Sequence, residues 1–426
     1  MKDVAALMGA IDYESVTADA GKSSLLAHKQ LFAAIIGLCA VSWFMLLSGW
    51  LRVTPGSVMT KRQNVLFNSD TNLWMDRMIG NARSPERLVH PLEIPIWRPP
   101  CRTLHYLLET ILPSEYAGVI AARLLVALIA GTGVGFLAFL ALHNGLKTTQ
   151  CILLFIMYLL FTSNSTAALP EHFGISNGLL AITFVVPIVI ASTAITTIIL
   201  VVSVVVCGGT TVTNVLFPLA SLILYSLRSI RVRIAAIAAA IPLGLGMALF
   251  LYFRSSTIHY FVGKYLTLRL LNDPLRAAIY TIYTFVSPAV GPTPLVLRVP
   301  GWDMVSYEPA HEPLHLTYYF GIQAIGAIAW LVLFLTCLSK ARKNDRTRNY
   351  VWLPLGWILF NTVFHNIWGD ELFLYAPHWS WALMALVILG ARDLSRRFLA
   401  VIFVPVAASQ IYTLFAIKHA LQTIVR

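Results

Sequence analysis

Apolar runs long enough to cross a bilayer recur along this chain, and they decide what it can fold into. A helical crossing takes about 20 mostly apolar residues. Runs fall at about 31–51, 117–142, 151–161, 172–190, 194–207, 214–227, 234–253, 315–338, 350–366, 379–391 and 398–417. The chain is 58% hydrophobic, against roughly 45–50% for soluble domains, so a soluble globule is excluded. Alternating strand patterns are absent, which argues against a barrel. The expected fold is an all-α polytopic membrane bundle of about 11 transmembrane helices. It forms one membrane-embedded domain over residues 1–426, with no separate soluble domain. The runs at 151–161, 194–207 and 379–391 are short and also fit re-entrant segments, so an even span count stays open.

The formal charge of +12 would suggest nucleic acid in a soluble protein. Here the basic residues sit in short loops between apolar runs, which is the signature of membrane orientation, and no basic patch interleaves with aromatics. With the N-terminus in the cytoplasm, the short inner loops hold twelve basic residues: Lys147, Arg228, Arg231, Arg233, Lys340, Arg342, Lys343, Arg346, Arg348, Arg392, Arg396 and Arg397. The short outer loops at 166–171, 208–213 and 367–378 hold none. The first run is long and follows a polar segment, so it is expected to act as an uncleaved anchor. Five cysteines show neither a disulfide framework nor a metal-binding spacing.

Two long loops, about 52–115 and 254–314, then lie outside. Within the first, Leu104, Leu107, Leu108, Ile111 and Leu112 repeat at helical spacing, with His105, Glu109 and Thr110 off the stripe. This predicts an amphipathic helix lying at the membrane surface, its start fixed by Pro99-Pro100.

The same orientation sorts the polar clusters. Asp70, Asp76, His90, Arg98 and Arg102 lie outside, as do Glu171-His172, Thr210–Asn214, His365, Asp370, Glu371, Tyr375 and His378. The inner short loops hold only Asp345 and Asp393 as acids. Scattered solvation would not choose one face so consistently, and the convergence predicts an active site. Each piece has a structural alternative. Glu171, expected in the first turn after Pro170, and Asp370-Glu371 could serve helix dipoles. His90-Pro91 could start a turn. Arg123, inside the second run, could snorkel to the interface or meet an anionic headgroup. Lys264 and Arg269 could hold lipid phosphates or form a solvated amphipathic face.

The arrangement resembles the C-type (GT-C) glycosyltransferases, polytopic enzymes that use polyprenyl-phosphate sugars; protein O-mannosyltransferases and bacterial lipid A aminoarabinose transferases are members. The segment NSDTNLWMD supplies an aspartate at Asp70, ERLVHPLEIPIW a following His-Pro, and LPEHFGISNGLLAI a later-helix motif. CGGTTVTNVLF and ELFLYAPHWSW look like segments of bacterial members. The resemblance implies a GT-C-like bundle with juxtamembrane helices in the first extracytoplasmic loop. It implies catalytic roles for Asp70, His90 and Glu171, with Asp70 as general base. The leaving phosphate would be met by Arg98, Arg102, Arg123, His172 and His378. Asp76, Asp370, Glu371 and Tyr375 would position substrate. The chain departs from the family at Asp70-Thr71, where many members carry an acidic pair, so a second acid must come from elsewhere or be absent. There is also no extracytoplasmic C-terminal domain, so acceptor recognition would fall to the loops.

The implied function is inverting transfer of a sugar from a polyprenyl-phosphate donor to a glycan, lipid or protein acceptor. It would take place on the outer face of a bacterial inner membrane, with no resident metal or cofactor and no nucleic acid. A multipass transporter or lipid-linked-sugar flippase is the competing class; it would place ionisable residues near mid-membrane and show repeated halves. An O-antigen-ligase-like or polymerase-like enzyme would carry its large functional loop late in the chain, and a non-catalytic assembly subunit is a further alternative.

Overall fold

The computed structural model describes residues 20–61, 65–66, 69–80, 90, 92–190, 192–226, 234, 272–299, 302–306, 321–367 and 372–424. The protein is mostly α-helical, and among the described residues five helices are long and apolar enough to cross a bilayer. These are α1 (Ala20–Trp50, its apolar stretch starting at Leu26), α4 (Ser114–His143), α6 (His172–Val189), α10 (Ile322–Lys343) and α13 (Arg396–Ile424). Between them run α2 (Thr71–Met78), α3 (Glu93–Glu109), α5 (Thr148–Leu159), α7 (Thr193–Thr210), α8 (Leu216–Ser226), α9 (Pro274–Val286), α11 (Arg348–Ile367) and α12 (Pro377–Gly390). Helices thus occupy the apolar runs of the sequence as far as these are described; residues 235–253 and 315–320 lie outside the described residues.

The outward faces are apolar. Leu38 and Leu46 on α1, Ile328 on α10, and Val401 and Phe415 on α13 are all more than half exposed. In water such a surface would be a liability; against lipid it is the solvent match. Inside the bundle, α12 is buried along its whole length. Helices approach through glycine. A Cβ on Gly133 of α4 would sit 2.5 Å from the Cα of Gly178 on α6, so only glycine permits this crossing.

The bundle has two chemically different ends. At one, Asn144 donates to the carbonyls of Ile388 (3.0 Å) and Leu389 (3.3 Å), and Gln150 donates to that of Leu394 (2.8 Å). Lys147, Lys340, Arg392 and Arg396 gather at this end. At the other end α1 stops, α4 and α6 begin, α7 ends and α12 begins, and there the first long loop packs.

Two expectations need correction. The amphipathic helix α3 begins at Glu93, and Pro99 and Pro100 lie inside it. Pro99 is exposed, so the carbonyls these prolines leave without donors can be hydrated. A strand pair also exists within the otherwise helical fold. β1 (Leu295–Val299) and β2 (Trp302–Ser306) form an antiparallel hairpin, and the Val305 N–H donates to the carbonyl of Val65 at 2.8 Å. Five-residue strands are too short to register in a pattern search dominated by apolar runs. Their effect is to tie the second long loop to the first.

Irregular backbone at Ser287–Gly291 is buried inside the bundle. Its carbonyls are met by side chains: Thr162 on Ser287 (2.8 Å), Gln410 on Ala289 (3.1 Å) and Thr413 on Gly291 (3.1 Å). Non-helical backbone survives in an apolar interior only when satisfied in this way.

Candidate functional site

The site is built where α3, α6, α7 and α12 meet. Helix α7 ends at Thr210, leaving terminal carbonyls without helical partners. The first loop supplies them. Leu92 N–H donates to Gly209 O at 2.9 Å, His90 Nδ1 lies 2.7 Å from Thr210 O, and Trp97 Nε1 donates to Thr210 Oγ1 at 2.8 Å. A Cβ on Gly209 would meet Leu92 Cβ at 2.8 Å, so the glycine is what lets the loop dock. The motif CGGTT therefore acts as the landing place for His90.

Helix α6 brings Glu171 and His172. Glu171 is the N-cap, in extended backbone and outside the first turn; Pro170 precedes the helix and does not open it. The carboxylate does not cap its own helix; it accepts from Thr71 Oγ1 at 2.9 Å and is 2% exposed. Thr71 opens α2, whose N-cap is Asp70. Glu171 is thus hydrogen-bonded to the residue that follows Asp70 in the chain.

The His172 ring lies 4.1 Å from that of His90 and 6.0 Å from that of His378. Asn177, one turn beyond, holds α6 to α12 by donating to Pro377 O (2.9 Å) and Ser380 Oγ (2.7 Å) while accepting from Tyr158 (3.0 Å). His378 is 3% exposed, and its Nε2 has no hydrogen-bond partner. Its carbonyl accepts from the indoles of Trp357 (2.7 Å) and Trp381 (2.9 Å), which fixes the backbone there. Tyr375 stacks on His365 at 4.6 Å and flanks the same aromatic wall.

Glu93, which sequence reasoning passed over, sits beside this cluster. It is 2% exposed and pairs with Arg77 at 3.2 Å. One potential ligand atom from each of His90, Glu93 and His172 lies within 4.8 Å of the other two. The sequence showed no metal spacing because the set joins His90-x-x-Glu93 to a histidine on another helix. The visible signal was the three-residue interval, which puts both on one side of an incipient helix.

The expected phosphate-binding arginines are engaged with carbonyls. Arg98 donates from Nε to Arg77 O (2.6 Å) and from Nη2 to Gly80 O (3.0 Å), and Arg102 Nη2 donates to Gly80 O (3.0 Å). They anchor the C-terminal end of α2, where cations suit the helix dipole. Burial, and secondly the neighbouring Arg102, lower the Arg98 pKa from its usual value. Cys101 on the same helix is buried, which pushes its thiol up to about 12. Arg123 stands apart from the histidines. It donates to Val53 O at 3.3 Å and to Met45 O, and it borders an apolar pocket of about 620 Å³ between α1, α4 and α13. Asp76 is exposed on α2, away from the buried cluster. Asp370 and Glu371, and Lys264 and Arg269 of the second loop, lie outside the described residues.

A scan against protein-family models, a search of curated proteins and a search of solved structures each return no match.

Proposed function

We propose that this protein is a membrane glycosyltransferase of GT-C type that moves a sugar from a polyprenyl-phosphate donor to an acceptor hydroxyl at the outer face. The observation that carries the reading is the hydrogen bond that Thr71, the residue after Asp70, donates to Glu171, which is followed by His172 of the His90–His172 pair. Asp70 acts as general base on the acceptor hydroxyl; the oxygen attacks the anomeric carbon, the polyprenyl phosphate departs, and configuration inverts. The leaving phosphate needs charge neutralisation more than a proton, and the histidines at the start of α6 and α12 face that role with the helix N-terminus behind them.

The apolar pocket fits the prenyl chain. Trp43, Leu46, Trp50, Leu160, Ile411 and Phe415 line it, and Lys418 stands 4.6 Å over the Trp50 ring at its edge. In the full topology we infer eleven spans, with the N-terminus inside and the loops at about 52–115 and 254–314 outside, as the one-sided distribution of basic residues supports. Against a transporter, the buried Arg77–Glu93 pair belongs to the connecting segments and not to a spanning helix.

The test is release of polyprenyl phosphate from labelled lipid-linked sugars by the purified protein. Asp70→Asn keeps size and hydrogen bonding, and should cut turnover by at least about 10² while donor binding persists. Glu171→Gln should lose less. Normal turnover in both variants, or no release by the wild type with any donor, removes the enzyme reading.

A further inference from the structure

His90, Glu93 and His172 come from two chain segments, yet they converge around one point behind the docked loop. We propose that these three side chains bind one divalent transition-metal cation, zinc by donor set, with a fourth position open toward His378. Three features on the page support a metal over a plain polar contact. A carbonyl oxygen can only accept, so the 2.7 Å contact to Thr210 O requires the proton on His90 Nδ1 and leaves the lone pair on Nε2. A ligand histidine anchored by its other ring nitrogen to a backbone carbonyl is the usual outer support of a metal centre.

Glu93 is oriented in the same manner, by Arg77 at 3.2 Å. A carboxylate has about four lone-pair sites, so the Arg77 contact is compatible with metal coordination by the same group. The third feature is independent of the set. His378 Nε2 is buried without a partner, and its ring lies 6.0 Å from that of His172. A buried polar atom left so costs about 1–3 kcal/mol, which a polar guest hydrogen-bonded to it would offset.

The donors choose the cation. Two imidazoles and one carboxylate suit zinc with three protein ligands and an exchangeable fourth, whereas magnesium and calcium take oxygen donors. Zinc–ligand bonds of about 2.0–2.2 Å place tetrahedral ligand atoms roughly 3.3 Å apart, so small side-chain movements close the site. In the role that rests on the glycosyltransferase reading, the open position receives an oxygen of the donor phosphate.

The protein, purified in detergent and stripped with a chelator, is titrated with cobalt(II) alone, and zinc(II) is then used to displace it. One equivalent per chain is expected, with the visible absorption of a low-coordinate cobalt site. Glu93→Gln and His172→Asn should each weaken cobalt affinity at least about tenfold while elution profile and helical content stay those of the wild type. Should one variant misfold, the other and the wild-type stoichiometry still decide. No uptake by the wild type, or unchanged affinity in a folded variant, overturns the site. Sugar transfer without metal uptake removes the metal and leaves the enzyme reading; uptake without transfer does the reverse.

Discussion

The histidine cluster and the Arg123 pocket lie at the same end of the bundle and solve opposite problems. The cluster draws titratable groups from α2, α3, α6 and α12 into a buried volume, where most are held by a neighbour from another segment. The pocket is lined by large apolar side chains and borrows one cation, whose guanidinium is occupied by the carbonyls of Val53 and Met45. Even its nearest backbone is cut to fit: a Cβ on Gly49 would come within 2.7 Å of Arg123 Nη2. Under the proposed function, chemistry has its place in the first and the prenyl chain in the second. The difference teaches that proximity to the membrane face does not by itself make an arginine a phosphate ligand.

The largest expected effect breaks both regions at once. Gly178 and Gly133 set the distance between α4, which carries Arg123, and α6, which carries His172. Gly178→Leu should destabilise by about 3 kcal/mol or more and yield little monodisperse protein. A stable, active variant would show that the two helices are free to shift.

Next in size is a change that separates the regions. Ile411→Trp fills the pocket from a half-exposed position. It should raise KM for a long-chain prenyl donor about tenfold and leave kcat and a short-chain donor unaffected. An equal effect on both donors would place the tail elsewhere.

The smallest effect concerns Arg102. If it anchors Gly80, Arg102→Ala costs about 1–2 kcal/mol in thermal stability and changes kcat/KM less than twofold. A large rise in donor KM at unchanged stability would restore it to the phosphate.

How much of this was legible in the sequence follows from the range of each interaction. Helix positions were readable because a 20-residue apolar run reports its own environment. The one-sided gathering of Glu171, His172, His365 and His378 was readable for the same reason, since the spans fix which end each loop occupies. The partner of Glu171 was not, because Thr71 stands 100 residues away and meets it only when α2 lies over α6. Glu93 stayed hidden because its meaning depends on where α7 stops. For Arg98 and Arg102 the charge was readable, but not the carbonyls of Arg77 and Gly80 that they engage, because those depend on how α2 packs on α3. The hairpin was lost because five residues carry too little period against so apolar a background.

The irregular segment at Ser287–Gly291 sets an order of events during synthesis. Two of its carbonyls are matched by Gln410 and Thr413, which leave the ribosome 121 and 122 residues later. Both carbonyls also have earlier donors, Thr162 N–H on Ala289 (3.4 Å) and Gln323 Nε2 on Gly291 (3.2 Å), so α13 adds to a set that the segment after α5 and helix α10 have begun. Helix α13 completes the satisfaction of buried backbone that, left open in hydrocarbon, would cost several kcal/mol per carbonyl.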